Sequence, residues 1–353
     1  MKLVAEGSLK DIARRLDDRP EPESPSHLEL GSPVRLTGYR TKTPPVREWV
    51  VTDLLPRGEL AELAGARGAL KSTMALVMAA HVAAGRPFLD HNCEPGEVVI
   101  ITAEDDFDEV WRRLADAMKH WPEAEQDATF NRIRVWDVVG RGARVYETTE
   151  YGRAASTTLV EDVVEACDRA DLVIFDPLAR FHGLNENDNG AMDMVMGAFI
   201  QISKKLHCSV LVLHHSGKGP TAASRGASSI ESATRAYFVQ KRLSPDDCVN
   251  MGFAADDTII KFRAERLSYA PDGWALDIQF ANGQMSVIDA DTLWNVQCQK
   301  VRREWDGQPF SKNSHKQGWV QACGFTQRDW AKFMEQAIKR GALTKASNQQ
   351  WTF

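Results

Sequence analysis

The chain has 353 residues, of which 43% are hydrophobic and 26% charged, and its formal net charge is −6. This length suffices for one large and one small domain, at roughly 100 to 200 residues per domain, and the composition is typical of globular proteins. The acidic balance excludes a globally basic nucleic-acid-binding surface, although a ring can still bind DNA through a few cations lining its channel.

Membrane and secretory classes are not indicated. No run approaches the ~20 consecutive apolar residues that span a bilayer, and the N-terminus lacks the apolar core of a signal peptide. We therefore expect a cytoplasmic protein without a membrane partner. The six cysteines show no C-x-x-C spacing, which argues against a metal knuckle or a disulfide framework.

Residues 1–43 differ in composition from the rest of the chain. A short helical pattern is followed by RPEPESPS, a stretch rich in proline and poor in apolar residues. Such a stretch buries too little apolar surface to fold by itself. We predict a flexible N-terminal arm or linker.

Strands and helices alternate from residue 44 onward. The predicted strands are 59–64, 97–104, 132–139, 172–176 and 209–215, and the predicted helices between them are 71–85, 106–120, 156–169 and 189–206. Nearly continuous apolar strands separated by amphipathic helices predict an α/β fold with a mostly parallel sheet covered on both faces. Shorter strands at 258–268 and 274–280 are expected to be antiparallel at the edge of the same sheet, which gives a domain at 44–285.

The last segment, 289–353, is richer in tryptophan, lysine and arginine. Its pattern predicts three helices, at 289–305, near 316–322 and at 326–341, followed by a β tail at 342–353. Helices followed by a small hairpin predict a winged-helix-like module. Two interpretations stay open for it: DNA binding, or protein interaction and capping of an oligomer.

A phosphate-binding loop is predicted between the strand at 59–64 and the helix at 71–85. It comprises Gly65, Ala66, Arg67, Gly68, Ala69, Leu70, Lys71, Ser72 and Thr73. Backbone N–H groups and the helix N-terminus would bind phosphate, Lys71 would supply the cation, and Ser72 a hydroxyl for Mg²⁺. The loop departs from G-x-x-x-x-G-K-[ST] because Leu70 replaces the second glycine. An ordinary strand-to-helix turn is the competing interpretation.

Polar residues follow three other predicted strands. Asp176 ends one strand, as a carboxylate that organises Mg²⁺ does, and Glu104 ends another, where it can polarise a water molecule. His214 and His215 end a third strand, and one of them can sense a γ-phosphate. Ligands of open α/β sheets bind at the carboxyl ends of the strands, so these side chains are expected to meet there. The neighbouring Asp105 and Asp106 are interpreted as helix caps.

These segments together resemble the RepA-type hexameric replicative helicases of plasmids and phages, members of the RecA-like ATPases. The resemblance covers residues 44–271 and is most specific in DPLARFHGLNENDNG followed by LHHSGKG. It implies a RecA-like fold, ATP and Mg²⁺ as ligands, and a homo-oligomeric ring, expected to be a hexamer. Bulky residues occur before the loop lysine in this group, so Leu70 is interpreted as a family variant.

The resemblance also implies roles for individual residues. Lys71, Ser72 and Asp176 would bind the phosphates and Mg²⁺, Glu104 would be the catalytic base, and His214 or His215 the sensor. Arg235 would complete the site of the next subunit. Arg266 stands where relatives commonly carry a lysine and would be a second cation in trans. A surface salt bridge is the alternative for both arginines.

Nucleic-acid contacts are predicted in the segment HHSGKGPTAASRGASS. Lys218 and Arg225 are its only lysine and arginine, and RecA-like rings place DNA-contacting loops after the sensor strand. A solvated loop without a ligand is the alternative.

We interpret the chain as an ATPase and a replicative helicase acting on single-stranded DNA, with replication or mobile-element proteins as further partners. The alternatives are a DNA-remodelling or recombination-mediator ATPase, and a nucleotide-gated binding module.

Overall fold

The computed structural model describes residues 32–215, 225–323, 325–347 and 349–352; burial is not given for residues 225–228. The chain divides into two compact units, Met1–Val46 and Arg47–Phe353. In the first unit the described residues are exposed, and they contain a short 3-10 turn at Tyr39–Thr41. None of the helices in the described part of the chain is long and apolar enough to cross a membrane.

The strands of the second unit vary in length from two to ten residues. In chain order they are β1 (Trp49–Val51), β2 (Leu55–Pro56), β3 (Leu60–Gly65), β4 (Glu97–Thr102), β5 (Ile133–Asp137), β6 (Tyr146–Thr148), β7 (Ala154–Ser156), β8 (Ala170–Asp176), β9 (Ser209–His215), β10 (Ala236–Arg242), β11 (Thr258–Leu267), β12 (Trp274–Ala281), β13 (Gln284–Val287), β14 (Thr344–Ser347) and β15 (Gln350–Thr352).

The helices lie between these strands and after them. In chain order they are α1 (Lys71–Ala84), α2 (Phe107–Met118), α3 (Glu123–Phe130), α4 (Leu159–Ala166), α5 (Asn189–Leu206), α6 (Arg225–Ala233), α7 (Pro245–Met251), α8 (Ala290–Glu304), α9 (Gly318–Ala322) and α10 (Gln327–Lys339).

One nine-stranded sheet organises the second unit, in the order β13-β12-β11-β10-β3-β9-β8-β4-β5. The neighbours from β10 to β5 are parallel, whereas β10 to β13 are antiparallel. The predicted α/β class is therefore confirmed, including the antiparallel edge. The hairpin of β6 and β7 was not predicted from sequence, because three-residue strands carry too little periodicity.

Hydrophobic cores cover both faces of the sheet. One contains most of α1 together with alternate residues of the central strands, such as Leu63 and Ile174. The other contains α5 and the intervening strand residues, such as Val173 and Val212. Side chains of a strand alternate between faces, so continuous burial of β3 and β8 follows from apolar residues at nearly every position.

The register brings four strand ends to the same edge. Gly65 at the end of β3 pairs with His215 at the end of β9, and Thr102 at the end of β4 pairs with Asp176 at the end of β8. The loop after β3 and the residues after β4 are thus adjacent to the ends of β8 and β9, as ligand-binding α/β sheets require.

The C-terminal residues contain a third hydrophobic cluster, with Trp330, Phe333 and Val301 in its centre. Helix α8 is followed by a bridge between Phe310 and Trp351, then by α9, α10 and the antiparallel hairpin β14–β15. These are the predicted helices and hairpin. The C-terminal helices and hairpin belong to the same compact unit as the sheet, Arg47–Phe353. A separate C-terminal domain that begins at residue 289 therefore stays a prediction.

Candidate nucleotide-binding site

The loop between β3 and α1 has the backbone shape of a phosphate loop. Gly68 has φ +79°, and Leu70, the residue before α1, has φ 67° and ψ 31°. This left-handed conformation is the one that glycine adopts readily and that costs a branched residue roughly 1–2 kcal/mol. Leu70 therefore occupies the backbone position of the missing glycine, and its side chain packs on the core beneath α1.

Strand β10 supports the loop from one side, through a residue that sequence reasoning missed. The buried amide of Gln240 donates from Nε2 to the carbonyl oxygen of Ala69 at 2.5 Å. A Cβ on Gly65 would overlap the carbonyl oxygen of Gln240. Glycine is needed at this position because of that close approach. A lone glutamine on a strand carries no sequence signal for such a contact.

Lys71 lies at the start of α1 with its ammonium directed into the loop. Nζ donates to the carbonyl oxygens of Gly65 at 2.7 Å and of Ala66 at 3.1 Å. Burial lowers the pKa of Lys71 to about 8, and the carboxylates of Asp176 and Glu104 oppose this shift. The cation is thus held where successive loop N–H groups and the helix N-terminus create a site for anions.

Asp176 lies at the end of β8, next to Ser72. Its side chain is 8% exposed, and burial raises its pKa to about 6, opposed by a hydrogen bond with Ser72. A hydroxyl and a buried carboxylate are hard oxygen donors of the kind that Mg²⁺ prefers. Among the residues described, no cluster of three His, Cys, Asp or Glu that could hold a metal ion is found.

His215 and Glu104 face Lys71 across the site. Nδ1 of His215 lies 2.9 Å from Nζ of Lys71, and Nε2 lies 3.4 Å from a carboxylate oxygen of Glu104. Burial, and then Lys71, lowers the pKa of His215. A neutral ring that accepts at Nδ1 and donates from Nε2 satisfies both contacts. The exposed Arg67 pairs with Glu104 at 3.7 Å.

His214 is directed away from this site. It is buried between strands, and its Nδ1 lies 2.9 Å from a carboxylate oxygen of Glu62 on β3. Burial raises the pKa of Glu62, and His214 opposes that shift. The expectation that both histidines face the ligand edge is wrong, because successive residues of a strand point to opposite faces.

The two aspartates before α2 differ in their contacts. Asp106 caps the helix, accepting from the N–H of Glu109 at 2.8 Å. Asp105 does not cap it; its carboxylate pairs with Arg113 at 2.8 Å, and its backbone closes a turn with the hydroxyl of Thr102. The cap prediction holds for Asp106 and is wrong for Asp105.

Arg235 and Arg266 lie at the opposite end of the parallel strands. The N–H of Arg235 donates to Leu60 at the start of β3, so this arginine is one strand length from the loop. Its side chain is exposed. The guanidinium of Arg266 donates instead to the carbonyl oxygens of Glu231 and Thr234 and to the Thr234 hydroxyl. Neither arginine joins the site of its own chain.

The remaining predicted residues have different positions. Thr73 follows Ser72 in the first turn of α1, half-buried. Lys218 lies outside the described residues, as does the side chain of Arg225, whose backbone begins α6.

The loop after β3, the buried carboxylate of β8 and the mostly parallel sheet define a P-loop ATPase with a RecA-like fold. The model of an AAA domain family matches residues 22–221, which is more than half of the 353 residues. The chain belongs to this AAA domain family.

The solved structures that are similar to this chain include the following three. The RadB recombinase is 13% identical, with 65% of this chain and 91% of that chain covered and a TM-score of 0.44. A DnaB-like replicative helicase, solved for its interactions with primase, is 13% identical, with 65% and 57% covered and a TM-score of 0.48. The third structure, of an ATPase domain, is 13% identical, with 66% and 86% covered and a TM-score of 0.48.

Proposed function

We propose that this protein is a ring-forming motor that hydrolyses ATP, a replicative DNA helicase of the RepA type that translocates on single-stranded DNA. One observation carries the ATPase part: Lys71, His215 and Glu104 form a connected chain of polar contacts at the edge where Ser72 meets Asp176. A turn without a ligand has no need for a buried lysine, a buried carboxylate and a neutral imidazole in one place.

Phosphate binding is assigned to the loop. Its N–H groups and the N-terminus of α1 face the β-phosphate, and Lys71 spans the β- and γ-phosphates. The anionic phosphates keep Lys71 protonated, which offsets the lowering of its pKa by burial. Ser72 and Asp176, which share a hydrogen bond, would hold Mg²⁺, and the ion would supply positive charge to neutralise the phosphates.

Hydrolysis is assigned to Glu104 and His215. Glu104 is exposed and can accept a proton from a water molecule that attacks the γ-phosphate. The Nε2–H of His215 contacts Glu104, and in the presence of ATP it would exchange this contact for a γ-phosphate oxygen. The histidine thereby reports the γ-phosphate to β9 and to the segment 216–224 that follows it.

Arg235 supports assembly into a ring. The backbone of Arg235 lies beside the start of β3, and the phosphate loop follows the end of this six-residue strand. The two points are therefore roughly 16–20 Å apart, at ~3.3 Å per residue. An arginine side chain cannot span that distance, so a role in catalysis requires the site of a neighbouring subunit. There it would stabilise charge on the transferring phosphoryl group.

Arg266 is assigned a different role from the second trans cation expected from sequence. Its guanidinium donates to the carbonyl oxygens of Glu231, in the last turn of α6, and of Thr234, the residue directly before Arg235. Arg266 therefore positions Arg235 rather than reaching a phosphate itself.

DNA contacts are assigned to Lys218, in the sequence between β9 and α6, and to Arg225, the first residue of α6. Lysine and arginine contacts to phosphates are independent of base sequence and weaken with salt. Such contacts suit a motor that moves along single-stranded DNA, with replication or mobile-element proteins as further partners.

The test measures phosphate release with and without single-stranded DNA, strand separation of a labelled duplex with a single-stranded tail, and the mass in solution with ATP. We expect DNA-stimulated turnover in the wild type, none in Lys71→Ala, and a mass near six subunits. Mixing Lys71→Ala with Arg235→Ala should restore part of the activity, because some interfaces then combine an intact loop with an intact arginine. DNA-stimulated turnover without unwinding would indicate a DNA-remodelling ATPase. Tight ATP binding without turnover would indicate a nucleotide switch. Either result would contradict the helicase function.

A further inference from the structure

The C-terminal residues 289–353 differ in charge from the rest of the chain. They contain ten lysine or arginine residues and six aspartate or glutamate residues, whereas the whole chain has a net charge of −6. The segment that contains α8, α9, α10 and the hairpin therefore has a net charge of +4 (10 − 6), whereas the rest of the chain has a net charge of −10 (33 − 43). A basic patch on an acidic protein marks a surface that attracts a polyanion.

Helix α10 presents this charge on one face. Its apolar residues Trp330, Phe333 and Met334 are buried in the third cluster. Arg328, Lys332 and Lys339, spaced by four and seven residues, share one face of a helix with 3.6 residues per turn. The three side chains are exposed, and none of them has a hydrogen bond or an ion pair with another described residue.

The acids near this face do not neutralise it. Asp329 is engaged at the start of α10, where its carboxylate and its N–H bond to Thr326. Glu335 is the single acid of α10 that shares the face with the three cations. The face therefore keeps an excess of positive charge along the length of the helix.

The hairpin extends the basic surface. Strand β14 follows α10 after a short turn and is exposed at every position, and Lys345 lies within it. The bridge between Phe310 and Trp351 attaches the hairpin to the same small core. A helix flanked by a hairpin on a rigid core can place both elements on one ligand.

The cationic face of α10 borders a cleft beside Lys332. A cleft of about 570 Å³ separates it from the main sheet, lined by Lys332 on the helix and by Lys241 and Lys261 on β10 and β11. Lys261 pairs with Asp277 at 3.0 Å, and Asp247 also lines the cleft. The sheet therefore does not cover the face of α10 that carries Lys332.

Duplex DNA fits this surface better than a single strand. Sequence-independent binding of single strands uses exposed aromatic platforms on which bases stack, whereas here Trp294, Trp319 and Trp330 are buried and Trp305 and Trp351 are half-buried. The major groove of B-DNA, roughly 12 Å wide, admits one α-helix, and the deep, narrow groove of duplex RNA does not.

We propose that residues 289–353 form a second nucleic-acid site, in which α10 enters the major groove of duplex DNA and Lys345 contacts the backbone. Arg328 and Lys332, near the N-terminus of α10, lie where a recognition helix contacts DNA. The site is independent of the single-stranded DNA activity proposed above. It would hold the motor on a duplex while the ring acts on a separated strand.

The test titrates the full-length protein against a fluorescent duplex of about 20 base pairs and follows anisotropy at several salt concentrations. We expect Arg328→Gln/Lys332→Gln to weaken duplex binding about tenfold or more and to lower the salt slope by about two. The matched control, Lys204→Gln/Lys205→Gln, removes two exposed cations from α5 and should bind within about twofold of the wild type.

ATPase stimulation by single-stranded DNA separates this proposal from the motor function. The α10 variant should keep that stimulation, so its loss together with duplex binding would contradict an independent site. Duplex binding equal to wild type in the α10 variant, or no duplex binding by the wild type at physiological salt, would overturn the proposal. A protein that binds duplex DNA through α10 but does not hydrolyse ATP would contradict the proposed motor function and support the duplex site.

Discussion

The ammonium of Lys71 lies 2.9 Å from Nδ1 of His215, and the other nitrogen of the same ring lies 3.4 Å from Glu104. A single imidazole therefore connects the cation of the phosphate loop with the carboxylate across from it. Since burial and the nearby ammonium lower the pKa of His215, the ring is neutral near pH 7. It then has one N–H to donate, and that group faces the side where a γ-phosphate would lie.

The first prediction concerns this donor. His215→Ala should lower kcat for ATP hydrolysis by about 100-fold, the effect of removing one preorganised donor, while Kd for ATP changes by less than about threefold. Phosphate release and a fluorescent-nucleotide titration measure the two quantities. His120→Ala, which changes an exposed histidine after α2, is the control, and an unchanged kcat in His215→Ala would remove the histidine from the mechanism.

The second prediction concerns the neighbouring histidine. His214→Ala leaves Glu62, which is 2% exposed, without its partner at 2.9 Å. An unpaired buried polar group costs roughly 1–3 kcal/mol, so the free energy of unfolding should fall by about 2 kcal/mol in urea titrations. Glu62→Ala/His214→Ala should lose less than the two single variants together. Additive losses would show that the pair is not coupled.

A third prediction uses the raised pKa of Asp176, about 6. The folded protein holds this proton more tightly than the unfolded chain, so the group destabilises the fold increasingly as pH rises from about 4 to about 6, and fully above that range. Asp176→Asn should therefore raise the free energy of unfolding by about 2 to 3 kcal/mol at pH about 7.5, and abolish turnover. The gain should fall to about a third of that value at pH about 4.5, and an equal gain at both pH values would contradict the linkage.

The fourth prediction concerns Leu70 with its φ of 67°. Leu70→Gly relieves strain of roughly 1–2 kcal/mol and loses partly buried packing, so we expect stability within about 1 kcal/mol of wild type and an ATP affinity within about threefold. Leu70→Val, β-branched and poorly suited to this conformation, should weaken ATP binding about tenfold. Isothermal titration measures both, and loss of binding in Leu70→Gly would show that the leucine shapes the loop.

The fifth prediction concerns the first glycine of the loop. A Cβ at Gly65 would overlap the carbonyl oxygen of Gln240, and backbone does not yield as a flexible side chain does. Gly65→Ala should therefore displace the loop from β10 and reduce ATP affinity by more than about tenfold, with a loss of about 2 kcal/mol in stability. Gly68→Ala, with open space around its Cβ but a φ of +79°, should cost only about 1 kcal/mol. Equal effects of the two changes, measured by isothermal titration and urea unfolding, would contradict the role of the close approach.

Sequence patterns were sufficient for the fold class because they are repeated along the chain. Apolar runs such as β9 recur between amphipathic segments, and each recurrence adds to the same inference of a buried parallel sheet. Short elements such as β6 and β7 lack that redundancy, and their hairpin needed tertiary contacts to be seen.

The site was predicted at the level of residue type and strand end. Lys71 and Ser72 lie at the start of α1, Asp176 ends β8, and Glu104 follows β4, all elements that the pattern located. The direction of each side chain was not predictable in the same way. His214 and His215 are neighbours in sequence but point to opposite faces of β9, and register alone places one beside Lys71 and the other beside Glu62.

The sequence by itself determined the order of strands and helices, the phosphate loop and the set of polar residues at the strand ends, because these depend on local periodicity and spacing. Only the tertiary structure decided that Gln240 holds the loop, that Leu70 adopts a glycine-like conformation, and that Arg235 lies a strand length from the loop of its own chain. Those facts depend on which strands become neighbours in the sheet. Long-range packing decides this, and no local sequence pattern specifies it.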